Sequence, residues 1–252
     1  MSEKNTQSIA FGYCRFCNKT HSLSSGRARE YCLELMHILE EKGRMDIDVS
    51  EQNADPLLTL DYIKGAAGGQ MFGVLECTRS DGRSVILKAF SGQYNGVWNV
   101  EGWAPPLFDV ERFDLLVGRE DIKIKNLGKM IHDLPEGLER KELVIKRKGL
   151  SQNLMKEIHS IYRIHNFQSQ VRLLGDFFKR GIPAGAGDCC APKLLNQAAK
   201  QGLKPVSLAE IFWGRANPSG TRSQGNYYSP CEEKCGPLMG FMLCGIEKMQ
   251  RA

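Results

Sequence analysis

The sequence contains no apolar segment long enough to cross a membrane. Its longest apolar runs, such as residues 237–244, are well short of the roughly 18 to 20 residues that a spanning helix needs. The N-terminal residues MSEKNTQS are polar, so the apolar core of a secretory signal peptide is also lacking. These absences predict a cytoplasmic protein with no membrane partner.

Strong compositional bias is absent as well. With 42% hydrophobic and 25% charged residues, the 252-residue chain has the composition of an ordinary globular protein with one large or two small cores. Its formal net charge of +5 permits a polyanionic partner such as RNA without requiring one. The chain does have nine cysteines. In a chain of this size without a signal peptide, we expect them to stay reduced or to bind metal.

The first cysteine group is Cys14-x-x-Cys17, followed by His21. Two thiolates separated by two residues can share one zinc ion in a tight turn, and His21 is near enough to be a third ligand. Cys32 is the candidate for the fourth ligand. It also falls on the apolar face of a helix predicted over residues 26–42, so a place in the core explains this cysteine equally well.

The second cysteine group lies in a predicted helix, strand and helix from residue 187 onward. The first helix, in GDCCAPKLLNQAAKQG, opens on Cys189 and Cys190; the strand is LKPVSLAEIFWG; the second helix, in SPCEEKCGPLMGFML, opens on Pro230 and carries Cys231 and Cys235. Two helix N-termini beside one strand direct their thiols at a common point, where the helix dipoles favour thiolates. The pattern predicts zinc bound by Cys231, Cys235 and either Cys189 or Cys190.

This group resembles the zinc-dependent nucleoside and nucleic-acid deaminases, which carry a Cys or His plus Glu pair on one helix and a P-C-x-x-C run on the next. Cys231 and Cys235, preceded by proline, are similar to the second half with one extra residue in the spacer. Cys190-Ala191 is similar to the start of a C-A-E triplet, but Pro192 stands at the Glu position. Because that Glu carries protons between the zinc-bound water and the base, its loss removes the general acid and base and leaves the zinc ligands.

A predicted hairpin precedes this unit. The runs QMFGVLECTR and SVILKAFSGQ are typical of strands, and Asp81-Gly82 between them is a good turn signal. An insertion follows at about 94–182, mostly charged and helix-prone, for which we expect two or three long helices.

The deaminase resemblance then implies an α/β fold of cytidine-deaminase-like type, with a mixed sheet and flanking helices. We expect a small N-terminal zinc-binding element over residues 1–57 and the α/β domain over residues 58–252.

A wider resemblance covers roughly residues 70–245. The succession QMFGVLEC, VILKAFSGQYNG, WAPPLFD, a charged helical arm, PAGAGDCCAPKLL, GLKPVSLAEIFWG and YYSPCEEKCGPLMGFML is similar to the N-terminal extension of a subset of bacterial RluA-type pseudouridine synthases. In those proteins the extension precedes a catalytic domain with an H-R-L-D-type motif, which is missing from this sequence. The resemblance implies a stand-alone accessory region that acts near RNA modification, with RNA or an RNA-modifying enzyme as its partner.

Two functions therefore remain open. The missing Glu favours a zinc-binding module without catalysis, associated with RNA modification or RNA binding. We expect its RNA contacts from the basic segment 140–148 and from the loop that contains Arg215, Arg222 and Tyr227, so binding should weaken with added salt.

The alternative is a divergent zinc-dependent deaminase in which another carboxylate replaces the missing Glu. The candidates are Asp188, Glu210 and Glu232. Asp188 also suits an N-cap and Glu232 also suits a helical first turn. Glu210 is the candidate catalytic residue, because a carboxylate in an apolar strand is costly to bury unless it is paired or used.

Overall fold

The computed structural model describes residues 9–65, 67–217 and 219–251. Two compact units are present: one contains the chain up to Leu107, Ile164–Arg172 and the chain from Pro183 onward, and the other contains Phe108–Arg163 and Leu173–Ile182. The elements in chain order are β1 (Ile9–Cys14), β2 (Lys19–Ser24), α1 (Ala28–Lys42), α2 (Asp61–Lys64), β3 (Gln70–Thr78), β4 (Ser84–Phe90), α3 (Val110–Asp133), α4 (Leu138–Ser160), β5 (Arg163–His165), β6 (Val171–Leu173), α5 (Cys190–Lys200), β7 (Lys204–Trp213), α6 (Gly236–Met242) and α7 (Ile246–Arg251).

The first unit is built on a three-stranded sheet in the order β4-β3-β7. The central strand β3 is antiparallel to both neighbours, and its Leu75 pairs with Leu87 of β4 and Leu208 of β7. The predicted hairpin is present, and Gly82 in its turn has a φ of 83°. The α/β class is confirmed, but every strand pair described in this sheet is antiparallel, so the prediction of a mixed sheet does not match it.

Different helices cover the two faces of this sheet. α1 packs on the face that carries Phe72 and Val74 of β3. Gly73, between them, faces α5, and a Cβ at Gly73 would lie 2.6 Å from the Cβ of Cys190. Because only glycine allows this approach, α5 packs directly on the strand backbone.

Side chains of β7 cap the N-termini of both helices. Ser207 Oγ accepts a hydrogen bond from the Ala28 N–H at 3.1 Å, and Glu210 Oε1 accepts one from the Ala191 N–H at 2.9 Å. Neither helix receives a cap from its own N-cap side chain. The first N–H groups of a helix have no acceptor within the helix, so β7 satisfies them and fixes where each helix begins.

The hairpin of β1 and β2 packs on α6. A Cβ on Gly12 would lie 2.3 Å from Gly240 N, and a Cβ on Gly240 would lie 2.3 Å from the carbonyl oxygen of Tyr13. At this separation the two backbones touch, and neither position has room for a side chain. The N-terminal hairpin and the C-terminal helices thus belong to one compact unit.

The second unit contains α3 and α4, which pack against each other. Asp109 caps α3, since its Oδ1 accepts a hydrogen bond from the Arg112 N–H at 2.8 Å. The sequence predicted two or three long helices for the insertion, and α3 and α4 are two such helices. Among the helices of the described ranges, none is long and apolar enough to cross a membrane.

Candidate metal centres

The first cluster consists of Cys14, Cys17, His21 and Cys244, whose ligand atoms all lie within 4.8 Å of one another. Cys14 ends β1, Cys17 lies in the turn and His21 lies in β2, so one hairpin presents three of the four groups. Asn18 closes the turn with a left-handed φ of 56°. Three cysteines and one histidine form a ligand set that is typical of structural zinc.

The fourth member of this cluster is Cys244, and the structure places Cys32 elsewhere. The Cys32 Sγ donates to the carbonyl oxygen of Ala209 at 3.5 Å on the sheet side of α1. Burial raises the pKa of Cys32 to about 12, so this thiol stays protonated. Cys32 is therefore a core residue of α1 and not the fourth ligand, which is the second of the two roles considered for it from the sequence. Cys244 was not predicted as a ligand, because it lies in an apolar run of the sequence, where a cysteine is expected simply to be part of the core.

His21 is held by groups on both of its ring nitrogens. Nε2 lies 3.1 Å from the Cys17 Sγ, and Nδ1 lies 2.7 Å from Oε1 of Glu247 on α7. Metal-bound histidines usually donate the other ring N–H to a carboxylate, which fixes the tautomer and strengthens the ligand. Burial opposes ionisation of Cys17, but hydrogen bonds from His21 and from neighbouring cysteines lower its pKa to about 7. At neutral pH a large fraction of Cys17 is therefore thiolate, the form of cysteine that binds metal.

The second cluster consists of Cys189, Cys231 and Cys235, again with ligand atoms within 4.8 Å of one another. Cys189 is the N-cap of α5, and Cys235 is the N-cap of α6. Helix α6 begins at Gly236, so Cys231 lies in a preceding turn, in which Cys235 N–H donates to the Cys231 carbonyl at 3.1 Å. Hydrogen bonds from Cys189 and Cys235 lower the pKa of Cys231 and favour a thiolate there.

Of the vicinal pair, Cys189 belongs to the cluster and Cys190 does not. The Cys190 Sγ is buried and donates to the Met71 carbonyl at 3.3 Å, and burial raises its pKa well above the ordinary value. Because α5 starts at Cys190, Pro192 falls in the first turn, where a missing N–H costs no hydrogen bond. The start of the helix thus leaves Cys189 at the cap, beside the other thiols.

Glu210 is buried in β7, and its carboxylate serves as the cap of α5. Burial raises the pKa of Glu210 to about 7, although the Ala191 N–H and the charge of Arg222 lower it in part. The other two candidate carboxylates differ in position: Asp188 lies in the wall of a cavity, and Glu232 is exposed on the turn before α6. Glu210 therefore has a hydrogen-bond partner, as expected of a buried carboxylate.

A cavity of about 430 Å³ adjoins the second cluster. Its wall includes Asp188, Cys189 and Arg222, together with the rings of Tyr62 and Phe212. Three protein ligands leave one position of a tetrahedral zinc ion open. A cavity at Cys189 can therefore admit water or a small ligand to that position.

Lys193 is a buried residue whose position was not predicted from the sequence. Its Nζ donates to the carbonyl oxygens of Phe90 at 3.0 Å and Gly92 at 2.7 Å, and burial lowers its pKa to about 8. These bonds tie α5 to the segment after β4, part of which lines the cavity. The signal available in the sequence was a lysine among apolar residues near the start of a predicted helix.

Several residues predicted to contact RNA are engaged within their own unit. The Tyr227 hydroxyl donates to the Arg29 carbonyl at 2.7 Å, and the Arg29 guanidinium lies 4.3 Å from the centre of the Tyr227 ring. Arg222 lies 5.2 Å from the centre of a neighbouring tyrosine ring. In the second unit, Arg140 pairs with Glu136. These contacts compete with stacking on Tyr227 and with phosphate binding by the two arginines.

Comparison with protein-family models, curated proteins and solved structures gives no match. The chemistry of the two clusters and of their surroundings is therefore the basis for an assignment of function.

Proposed function

We propose that this protein is a zinc-binding, non-catalytic accessory module that is associated with RNA modification or RNA binding. The observation that carries the proposal is the convergence of seven ligand residues into two groups. They come from the β1–β2 hairpin, the start of α5, the turn before α6 and the segment after α6. Six thiols and one imidazole are ligands that suit zinc, whereas the hard ions magnesium and calcium prefer oxygen.

The first cluster supports a structural role for its metal. Cys14, Cys17, His21 and Cys244 complete a set of four ligands, which leaves no position for a substrate. Such a site contributes its binding energy to folding, because the ligands are brought together only in the folded chain. Here the metal would join the N-terminal hairpin to the segment after α6.

The surroundings of the second cluster support a role without catalysis. Pro192 occupies the position at which the deaminase resemblance requires a proton-carrying Glu. The buried Glu210 is engaged in capping α5. A residue that acts as general acid and base must exchange a proton with the reacting groups. The Glu210 carboxylate is poorly suited to this, because its oxygen already accepts a hydrogen bond from the helix N-terminus. The cluster then serves to fix the starts of α5 and α6 beside each other.

The association with RNA is supported by the resemblance to the extension of RluA-type pseudouridine synthases and by the positive net charge of the chain. Binding should depend on phosphate contacts and fall steeply as salt is added, because each neutralised phosphate releases counterions.

X-ray absorption at the zinc edge, combined with binding to tRNA and rRNA fragments at low salt, tests this proposal. We expect a sulfur-dominated first shell with Zn–S distances of about 2.3 Å, and RNA affinity that declines with salt. An oxygen-dominated shell, or protein purified without metal, contradicts the zinc assignment. Absence of RNA binding at low salt contradicts the association with RNA.

One observation favours the alternative of a divergent deaminase: the cavity of about 430 Å³ reaches Cys189, where a three-thiolate zinc ion has an open position. In that case Glu210 is the candidate proton carrier. The test is ammonia release by zinc-loaded protein from cytidine, adenosine and single-stranded RNA. Release that Glu210→Gln abolishes would establish the deaminase, and no release from any of these substrates supports the module.

A further inference from the structure

A second cavity, of about 510 Å³, adjoins the first cluster. Its wall includes three of the four candidate ligands, Cys17, His21 and Cys244. Cys14, the remaining thiol of the cluster, is buried and is not part of this wall. Two thiols of one candidate metal site therefore face the same cavity.

Cys17 is the thiol of this cluster that a small molecule reaches most easily. It lies in the turn between β1 and β2 and is partly exposed, whereas Cys14 and Cys244 are 1% and 2% exposed. The four residues of the cluster would fill every coordination position of a zinc ion. A molecule that enters the cavity therefore meets a ligand sulfur and not an open metal position. Oxidants react preferentially with thiols that are accessible and have thiolate character, as a zinc-bound cysteine has.

Cys244 is placed to complete an oxidation that begins at Cys17. Its Sγ lies within 4.8 Å of the Cys17 Sγ. A disulfide needs about 2.0 Å between its two sulfurs, so a short movement of the side chains is enough to join them. A cysteine that is oxidised beside a second thiol condenses with it to a disulfide.

The cavity at the second cluster differs in this respect. Of the three thiols in that cluster, Cys189 is the one in the wall of the cavity of about 430 Å³, and Cys231 and Cys235 are not part of the wall. An oxidant thus meets two thiols at the first cluster and one at the second. We expect the first cluster to react first.

We propose that the first cluster is a site of reversible oxidation, at which hydrogen peroxide joins Cys17 and Cys244 in a disulfide and the metal is released. The Cys17 thiolate attacks one peroxide oxygen and becomes a sulfenic acid, the O–O bond breaks, and the hydroxide that leaves takes a proton from solvent to form water. The Cys244 thiolate then attacks the Cys17 sulfur, and the sulfenic hydroxyl leaves with a second proton as water. The two sulfurs lose two electrons and the peroxide gains them.

The disulfide would replace the metal as the link between the N-terminal hairpin and the segment after α6. Cys14 and His21 would be the remaining ligands, and structural zinc sites use four. Oxidation therefore removes the zinc ion while the two ends of the chain stay joined. This inference rests on the proposed zinc site at the first cluster and does not involve RNA.

The experiment treats the zinc-loaded full chain with hydrogen peroxide, measures zinc transfer to a chelating dye, and maps disulfides by mass spectrometry of unreduced peptides. We expect one zinc ion per chain to be released first, together with a peptide pair linked through Cys17 and Cys244. Reduction with dithiothreitol followed by added zinc should restore the original zinc content.

Two variants sharpen the result. Cys17→Ser removes the accessible thiol, so Cys14 and Cys244 should stay reduced at the same peroxide concentration. Cys77→Ala is the matched control, because Cys77 is buried and lies outside both clusters. This control should release zinc and form the same disulfide as the unmodified protein. The map of the unmodified protein identifies the disulfide even if Cys17→Ser folds poorly.

The outcomes separate this inference from the proposed function. If the protein holds zinc at the first cluster and peroxide neither releases it nor links Cys17 to Cys244, the inference is wrong and the zinc-binding module stands. A disulfide between Cys14 and Cys17 contradicts the inferred pairing. Protein that holds no zinc at the first cluster before treatment contradicts this inference and the proposed function together.

Discussion

The two cysteine clusters use the same kind of ligand in different settings. Cys14, Cys17 and Cys244 are joined by His21, so the first cluster offers four ligands. The second offers three thiols and adjoins a cavity. A closed site and an open one have different consequences, because only the closed site can commit all of its coordination energy to folding. Composition alone therefore does not assign a role to a cysteine cluster.

The carboxylates beside the clusters extend this contrast. Glu247 hydrogen-bonds to His21, one of the candidate ligands, and so would tune a metal bound at the first cluster through that ligand. Glu210 bonds to the helix N-terminus behind Cys189 and so acts on the position of the helix. The clusters are also linked, since Cys235 precedes α6 and Cys244 follows it. Helix α6 therefore has the second cluster at its N-terminal end and the first cluster at its C-terminal end.

The largest expected effect is the loss of the first metal in Cys14→Ala. We expect one zinc ion fewer and a free energy of unfolding lower by at least about 3 kcal/mol, since structural zinc binding contributes about 10 to 16 kcal/mol in small domains. Chemical denaturation with zinc analysis measures both. Cys77→Ala is the control, because Cys77 is buried and lies outside both clusters. An equal loss of stability and of zinc in the two variants would contradict metal binding at the first cluster.

Gly240→Ala should disturb both clusters at once. The new Cβ would lie 2.3 Å from the Tyr13 carbonyl and push β1 away from α6. We expect a loss of about 1 to 3 kcal/mol, as for other overpacked sites, and faster zinc release from both clusters to a chelating dye. Gly118→Ala, where nothing lies within 4 Å of the new Cβ, should be neutral or slightly stabilising. A Gly240→Ala variant as stable as the unmodified protein would contradict the backbone contact.

Glu247→Gln should weaken the first cluster alone. Loss of such an outer carboxylate lowers metal affinity about 10- to 100-fold, so one zinc ion should transfer more readily to a competing chelator. Glu233→Gln, at an exposed position between Cys231 and Cys235, provides the control and should leave both ions in place. Unchanged affinity in Glu247→Gln would show that its contact with His21 does not tune a metal ligand.

The smallest effect is expected for Cys190→Ala. Because Cys190 lies outside the cluster, both zinc ions should remain and stability should fall by about 1 kcal/mol, the usual cost of a small change in a core. Cys189→Ala, one residue away, should lose the second zinc ion. If the two variants behave the other way round, the start of α5 is misplaced by one residue.

The sequence predicts local geometry well and long-range geometry poorly. Cys14, Cys17 and His21 were found because a turn of a few residues brings them together. Cys244 was missed because its neighbours are apolar and its approach to the hairpin depends on how α6 packs on β1. That contact depends in turn on two glycines, Gly12 and Gly240, that are remote from each other in the chain.

The choice between Cys189 and Cys190 was open for a different reason. It depends on the first residue of α5, and helix ends are the least certain feature of a sequence pattern. Glu210 shows the same limit: its burial was expected, but its partner is a backbone N–H of a neighbouring helix, which no side-chain pattern reveals.

We expect each chain to bind two zinc ions, one at each cluster. Native mass spectrometry of the protein purified without added metal tests it most directly, with Cys14→Ala and Cys189→Ala measured alongside. We predict two zinc ions for the unmodified protein and one for each variant. A metal-free unmodified protein, or two zinc ions retained in either variant, would contradict the claim.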